Sequence, residues 1–230
     1  SLVLSIISIA VATTFIPVYS DYIKNKTKEA TQYFVNNLLN IVVLLSILLT
    51  AIGMLAAPYI VRIIAPGFDK DAYELTVKLT IMVFPCLIFQ ALFNLSTGYL
   101  QTYSRFIAPA LSWIVYDLVI IGSMVFFWNL GIEAVTIGSL LATAGLFLIQ
   151  VPSIIKTGYR FEFVLNFKEE GFLKIMKLVV PVIISSAFNQ LYIFIDRMLA
   201  SGLSGGSISA LDYSYRLVNM VYSSVIVSFV

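Results

Sequence analysis

The chain alternates long apolar runs with short polar breaks, and about seven of the runs approach the roughly 20 residues that a helix needs to cross a bilayer. The first covers residues 2–19, with Pro17 near its end, and gives way to a polar loop at 21–29 carrying Lys24, Lys26 and Lys28. The second, 34–64, is longer than a bilayer requires, which predicts tilt or an interfacial end. After the turn signal Pro66-Gly67 comes a third span over 75–99, with a kink predicted at Pro85. A tight loop around Arg105 leads to the fourth, 106–128, and a brief break at 129–133 leads to the fifth, 134–155. Residues 156–177 form the longest polar stretch, whose amphipathic second half predicts a helix lying on the membrane surface. The sixth span is 178–199 and the seventh 208–230, joined by a turn of small residues at 201–207.

Composition agrees with the pattern. Of 230 residues, 60% are hydrophobic and 11% charged, and the mean hydropathy is +0.98. A soluble domain of this size cannot bury so much apolar surface, and continuous runs are not the alternating strands of a β-barrel. The expected fold class is therefore all-α, a polytopic transmembrane helix bundle. The chain starts and stops inside apolar runs, which reads as a fragment of a longer transporter-like protein. A net charge of +2 spread over loops gives no patch for nucleic acid. The lone Cys86 reads as a small buried hydrophobe, and the lack of histidine removes histidine metal sites and histidine acid–base chemistry.

Basic residues divide the loops into two sets. Lys24, Lys26, Lys28, Arg105, Lys156, Arg160, Lys168, Lys174 and Lys177 fall on one side, mainly Arg62 and Lys70 on the other. By the positive-inside rule the first set faces the cytoplasm.

Polar groups also recur inside the spans. The sixth carries Ser185, Asn189 and Asp196 on one side; the seventh carries Asp212, Arg216, Asn219 and Ser223 at i, i+4, i+7 and i+11. Arg216 lies roughly 13 Å past Ser207 at 1.5 Å per residue. There an arginine facing lipid costs about 2.5 kcal/mol or more. The two helices are thus expected to turn these faces toward a shared polar interior. Gln90, Asn94, Thr97 and Gln101 form a similar stripe on the third span, and Thr136, Ser139, Thr143 and Gln150 on the fifth. For these uncharged groups interhelical hydrogen bonding and a functional role stand side by side. For Asp117, Asp196 and Arg216 a role in a substrate or ion path is preferred. Asp212 and Glu133 read as solvated interfacial groups, and Arg197 as snorkelling outward. No phosphate loop, metal-ligand cluster or nucleophile elbow occurs, so an enzyme is not expected.

A set of local patterns then coincides in order. They are Thr14-Phe15-Ile16-Pro17-Val18-Tyr19, Gly53-Met54-Leu55-Ala56-Ala57-Pro58, Ala65-Pro66-Gly67-Phe68, Phe84-Pro85, Arg105-Phe106-Ile107-Ala108-Pro109-Ala110, Ile195-Asp196, and residues 206–217 ending in Tyr213-Ser214-Tyr215-Arg216-Leu217. Together they resemble the MurJ (MviN) family of lipid II flippases over essentially the whole chain. Four positions depart from the family's habit: Leu4 and Ser8 stand where many members carry an arginine and an acidic residue, Tyr215 where Asp or Asn is frequent, and Asp117 where Asn is frequent.

The resemblance implies a partial MOP/MATE-like flippase fold, about seven of about fourteen helices arranged as repeats. Residues 1–155 would be an N-terminal lobe lacking its first helix. Residues 156–177 would be a cytoplasmic linker with the amphipathic surface helix, and 178–230 the first two helices of the C-terminal lobe, truncated. The implied function is movement of the undecaprenyl-pyrophosphate-linked disaccharide-pentapeptide, lipid II, from the cytoplasmic to the outer leaflet of a bacterial cytoplasmic membrane by alternating access. Arg216 would bind the pyrophosphate, with Asn189, Asn219 and Asp117 as further substrate contacts. Gly206 and Ser207 would belong to the outer gate, and Asp196 would supply one carboxylate of a partial sodium site. No other cofactor is implied beyond sodium or membrane-potential coupling. Implied partners are lipid II, membrane lipids and proteins of cell-wall synthesis and division. Two rival readings are an exporter of another polyprenyl-linked oligosaccharide and a non-transporting scaffold for cell-wall synthesis.

Overall fold

The computed structural model describes residues 2–203 and 206–225; the side chains of 1–13, 187, 189, 190, 192 and 221–225 are outside that description. The described residues form α-helices: α1 (Leu2–Asn25), α2 (Lys28–Ile64), α3 (Lys70–Val83), α4 (Cys86–Thr102), α5 (Ile107–Phe126), α6 (Ile132–Leu148), α7 (Val151–Ile155), α8 (Glu170–Ala200) and α9 (Ser207–Val225). Among them, four helical stretches are long and apolar enough to cross a membrane: Lys28–Ile64, Lys70–Thr102, Ile107–Phe126 and Ile132–Ile155.

Local chemistry sets the boundaries. Thr27 caps α2 by accepting from the Ala30 amide, and Asp69 caps α3 by accepting from the Ala72 amide. The break expected at Pro85 is present: Phe84 and Pro85 separate α3 from α4, because a proline has no amide hydrogen and its ring crowds the preceding turn. Gly131, at φ 57°, turns the chain into α6, a conformation that favours glycine.

The helices α5 and α6 pack so closely that a Cβ on Gly138 would overlap the Ser123 side chain. The core gathers α1, α2, α4 and the start of α8 around stacked rings. Phe15 and Tyr19 are 5.1 Å apart, Tyr22 and Phe34 4.4 Å, and Tyr19 and Tyr99 5.5 Å. Cys86 is buried, as expected of a small hydrophobe. Leu55, Ile107 and Phe126 are more than three-quarters exposed, as lipid-facing side chains must be.

Residues 156–177 differ from the expected linker with a separate surface helix. Residues 159–169 run without helix along the first turns of α2, and the amphipathic residues after them are the start of α8, which continues into the span without a break. Glu169 fixes that start, accepting from the amides of Gly171 and Phe172 at 3.0 and 2.7 Å.

Candidate functional site

The helix α8 is clasped to the first bundle at both of its ends. At the lysine-rich end, the capping carboxylate of Glu169 also accepts from the Tyr22 hydroxyl at 2.7 Å. Lys174 pairs with Asp21 at 2.9 Å, and Lys26 with Glu170 at 3.4 Å. The Asp21 carboxyl is held below the usual range by hydrogen bonds from Lys174 and Asn25, whereas burial and the Glu169 carboxylate push the Tyr22 hydroxyl up. Gly171 allows the approach, since a Cβ there would lie 2.6 Å from the Phe34 ring and 2.7 Å from the Tyr22 oxygen.

At the opposite end, the loop after α2 meets the turn after α8. The Gly67 amide donates to Ser201 Oγ at 3.3 Å, and a Cβ on Gly67 would come within 2.4 Å of the Ser201 carbonyl oxygen. Only glycine fits there. In the same region Lys78 of α3 pairs with Glu133 of α6, so Glu133 is not merely solvated. These contacts place the lysine-rich loops and the Pro66-Gly67 loop on opposite ends, as the distribution of basic residues predicts.

Arg197 and Asp212 form an ion pair at 3.0 Å that ties α8 to α9. Arg197, expected to snorkel outward, and Asp212, expected to be solvated, both keep part of their surface exposed but are bonded to each other: each stands a few residues from the turn joining their helices, and the turn folds them together. The guanidinium of Arg216, on the next turn of α9 after Asp212, is exposed and pairs with no carboxylate among the described residues. Asn219, also exposed, donates its side-chain amide back to the Tyr215 carbonyl at 2.8 Å. Gly206 has φ 94°, suited to glycine, and its carbonyl accepts from the Ala210 amide at 2.9 Å, so it starts α9 with Ser207 as the first helical residue.

The remaining candidates lie on α5 and α8. Asp117 is exposed on α5 between Ile114 and Ile121, and α5 packs on α6 rather than on α8 or α9. The Asn189 side chain lies outside the described residues. Asp196 is half-buried, and no group of three or more Cys, Asp or Glu side chains forms among the described residues. One carboxylate does not by itself make a sodium shell, and the site expected here is a partial one.

The stripe of the fifth span, and Thr97 of the third, take part in hydrogen bonds within the bundle. Gln150, fully buried, donates to Thr97 at 2.8 Å across α4 and the α6–α7 junction. The hydroxyls of Thr136, Ser139 and Thr143 bond to carbonyls of their own helix.

A group that sequence reasoning missed lies on the first turns of α2. Asn36 donates to the Arg160 carbonyl at 2.9 Å, and Asn40 to those of Glu162 and Val164 at 2.9 and 3.1 Å. Asn37 donates to the Asn166 carbonyl at 2.9 Å and accepts from its amide at 2.6 Å. Three buried amides thus take the place of a partner strand for the connector. The available signal was three asparagines at one end of an over-long apolar run.

The family model for the lipid II flippase MurJ matches residues 8–230. A probable lipid II flippase MurJ from Buchnera aphidicola subsp. Baizongia pistaciae is 31% identical over 217 residues, 92% of this chain and 42% of that protein. The lipid II flippase MurJ of Burkholderia cenocepacia is 25% identical over 218 residues, 91% of this chain and 42% of the relative. A solved structure of a lipid II flippase MurJ in an inward closed conformation superposes with a TM-score of 0.79 at 25% identity, covering 96% of this chain and 46% of the other. The chain therefore spans less than half the length of the relatives it matches.

Proposed function

Because the chain belongs to the MurJ family of lipid II flippases, we propose that it is part of a multi-pass transporter that carries a polyprenyl-pyrophosphate-linked disaccharide-pentapeptide across a bacterial cytoplasmic membrane. The lysine-rich end faces the cytoplasm in this reading, by the same charge rule that orients other membrane proteins. Such a protein must move a pyrophosphate with its sugars through a low-dielectric layer while the polyprenyl tail stays in lipid. A fixed cation lowers the electrostatic cost of that passage, and a guanidinium adds a planar pair of donors for phosphate oxygens.

The contrast between two arginines supports the reading. Arg197 is neutralised by Asp212, whereas Arg216 has no carboxylate partner among the described residues. Arg216 is thus the guanidinium of α8–α9 that stands ready for an external anion, with Asn219 one turn further along the same helix. Alternating access requires that the two ends of the transporter part in turn, and α8 has a separable set of contacts at each end. The Tyr22, Asp21 and Lys26 contacts release one side, and the Gly67–Ser201 contact the other.

The test is replacement of Arg216 by alanine in the full-length parent, expressed in a bacterium depleted of its own lipid II flippase. Growth is expected to fail at normal expression of the variant, and Arg216→Lys is expected to rescue it in part because the charge remains without the fork. Normal growth with Arg216→Ala removes Arg216 from the mechanism. Rescue of a capsule or O-antigen export strain instead of the lipid II strain reassigns the saccharide.

A further inference from the structure

The ion pair between α8 and α9 is only half made. Arg197 reaches Asp212 through a single bond, Nη2 to Oδ1 at 3.0 Å, with the two side chains 36% and 44% exposed. A guanidinium and a carboxylate bind best through two parallel N–H bonds. Here the Nε of Arg197 is buried and has no hydrogen-bond partner among the described residues. A buried donor left unpaired weakens the arrangement that strands it. The pair therefore holds Asp212 in place without holding it firmly.

Asp212 has a second guanidinium within reach on its own helix. Arg216 stands four residues further along α9, and neither side chain is buried. An acid at i and a base at i+4 are neighbours on a helix surface, and acid first is the favoured order. Two arginines thus compete for one carboxylate. In this structure Asp212 serves Arg197 and leaves Arg216 without a carboxylate partner among the described residues.

The competition is tied to the contact at the Gly67 end of α8. The Ser201 amide bonds to the Arg197 carbonyl at 3.0 Å, one turn along the chain, and Ser201 Oγ accepts from the Gly67 amide at 3.3 Å. The residue that fastens α8 to the loop after α2 is therefore one helical turn from the residue that holds Asp212. When that tip of α8 moves away, Arg197 moves with it, while Asp212 stays on α9 with Arg216.

From this arrangement we propose that Asp212 is a positioning residue that alternates between Arg197 and Arg216 and so switches the anion site on and off. Bound to Arg197, it leaves the Arg216 guanidinium free for a pyrophosphate. Released, it pairs with Arg216 and displaces the phosphate oxygens. Anion release is in this way coupled to movement of the Gly67 end of α8. This role rests on the reading of Arg216 as the group that binds the pyrophosphate, and it adds what makes that binding reversible.

The experiment measures the Kd of undecaprenyl pyrophosphate for the full-length protein in detergent, as a double-mutant cycle. Arg197→Gln sets Asp212 loose on Arg216 and is expected to weaken binding roughly fivefold, since an exposed pair at this spacing is worth about twofold and partial desolvation raises it. Asp212→Asn removes the competitor at constant shape and is expected to bind as tightly as wild type or tighter. In Arg197→Gln/Asp212→Asn the loss is expected to vanish, with affinity equal to that of Asp212→Asn alone. Arg197→Lys, which keeps a cation for Asp212, is expected to bind like wild type. A purely structural tie between the helices predicts instead that both single variants weaken binding alike. A general field effect predicts that Arg197→Gln weakens it by the same factor with or without Asp212. Either result overturns the proposal, and should Arg197→Gln fail to fold, weaker binding by Asp212→Asn overturns it alone. Arg216→Gln separates this role from the reading beneath it. Loss of binding there together with an additive cycle removes only the switch, whereas unchanged binding removes Arg216 and the switch together.

Discussion

Replacing Asn37 by leucine isolates what the asparagine row of α2 contributes. Asn37 is fully buried and is the one member of the row that both donates to and accepts from a single residue, Asn166, at 2.9 and 2.6 Å. Leucine is close in size, so packing changes little, but both bonds vanish and the Asn166 amide and carbonyl lose their partner. Two lost bonds at about 1 kcal/mol each, plus partial desolvation of the stranded groups, give about 2–4 kcal/mol. If that energy falls on local opening of the connector, the open population rises roughly 30- to 1,000-fold. Limited chymotrypsin digestion of the full-length protein reads this directly, because Phe161, Phe163 and Phe167 lie in the segment that opens and cleavage follows the open population when reclosing is fast. Gln32→Leu is the comparison: its 3.1 Å bond goes to the Arg160 carbonyl, which Asn36 also serves, so removing it strands nothing. Cleavage of Asn37→Leu no faster than about fivefold over Gln32→Leu refutes the idea that the amide ladder holds the connector.

Two further tests address the clasps on α8. Gly67→Ala forces a Cβ to within 2.4 Å of the Ser201 carbonyl, backbone that cannot swing aside, and is expected to cost about 1–3 kcal/mol. Scanning fluorimetry should show Tm lower by several degrees, and an unchanged Tm means the two turns are not in contact. For the opposite clasp, the folded Asp21 carboxyl titrates below its ordinary value, so its pairing with Lys174 stabilises above the ordinary aspartate range and is lost as pH falls through the lowered value. The stability difference between wild type and Lys174→Ala should be complete at about pH 7, begin to fall near about pH 4, the region of an ordinary aspartate, and vanish only once the pH is below the lowered value. A difference that persists in acid assigns the effect to packing of the Lys174 stem.

Patterns that depend on neighbouring residues were legible in the chain. Apolar run lengths place the helices, Pro85 marks the α3–α4 break, and lysine counting separates the two ends. Pairings made by the fold across many residues were not. The row at Asn36, Asn37 and Asn40 bonds to backbone more than 120 residues later, and backbone carbonyls leave no trace in composition. The connector itself reads as amphipathic, but whether alternate aromatics form a surface helix or an extended strap depends on those distant amides. Which ionisable residues come together is not written in the runs either. Asp117 and Arg216 each sit within an apolar run, yet α5 packs chiefly on α6, whereas α9 meets α8. Arg197 and Asp212 look like two separate interfacial charges until the turn between their helices brings them to 3.0 Å.

The attachment of α8 at both tips has a mechanical consequence. Its 31 residues make a rod about 46 Å long at 1.5 Å per residue. When the ionic fastening near Asp21 lets go, the glycine contact at Ser201 is left as a fulcrum, and the reverse holds when the glycine contact lets go. A swing of only about 10° about either fulcrum carries the free tip roughly 8 Å over that length. Pro181 stands inside the rod between its tips and leaves one backbone hydrogen bond unmade there. It lets the lever flex where a continuous helix would have to tilt as a whole.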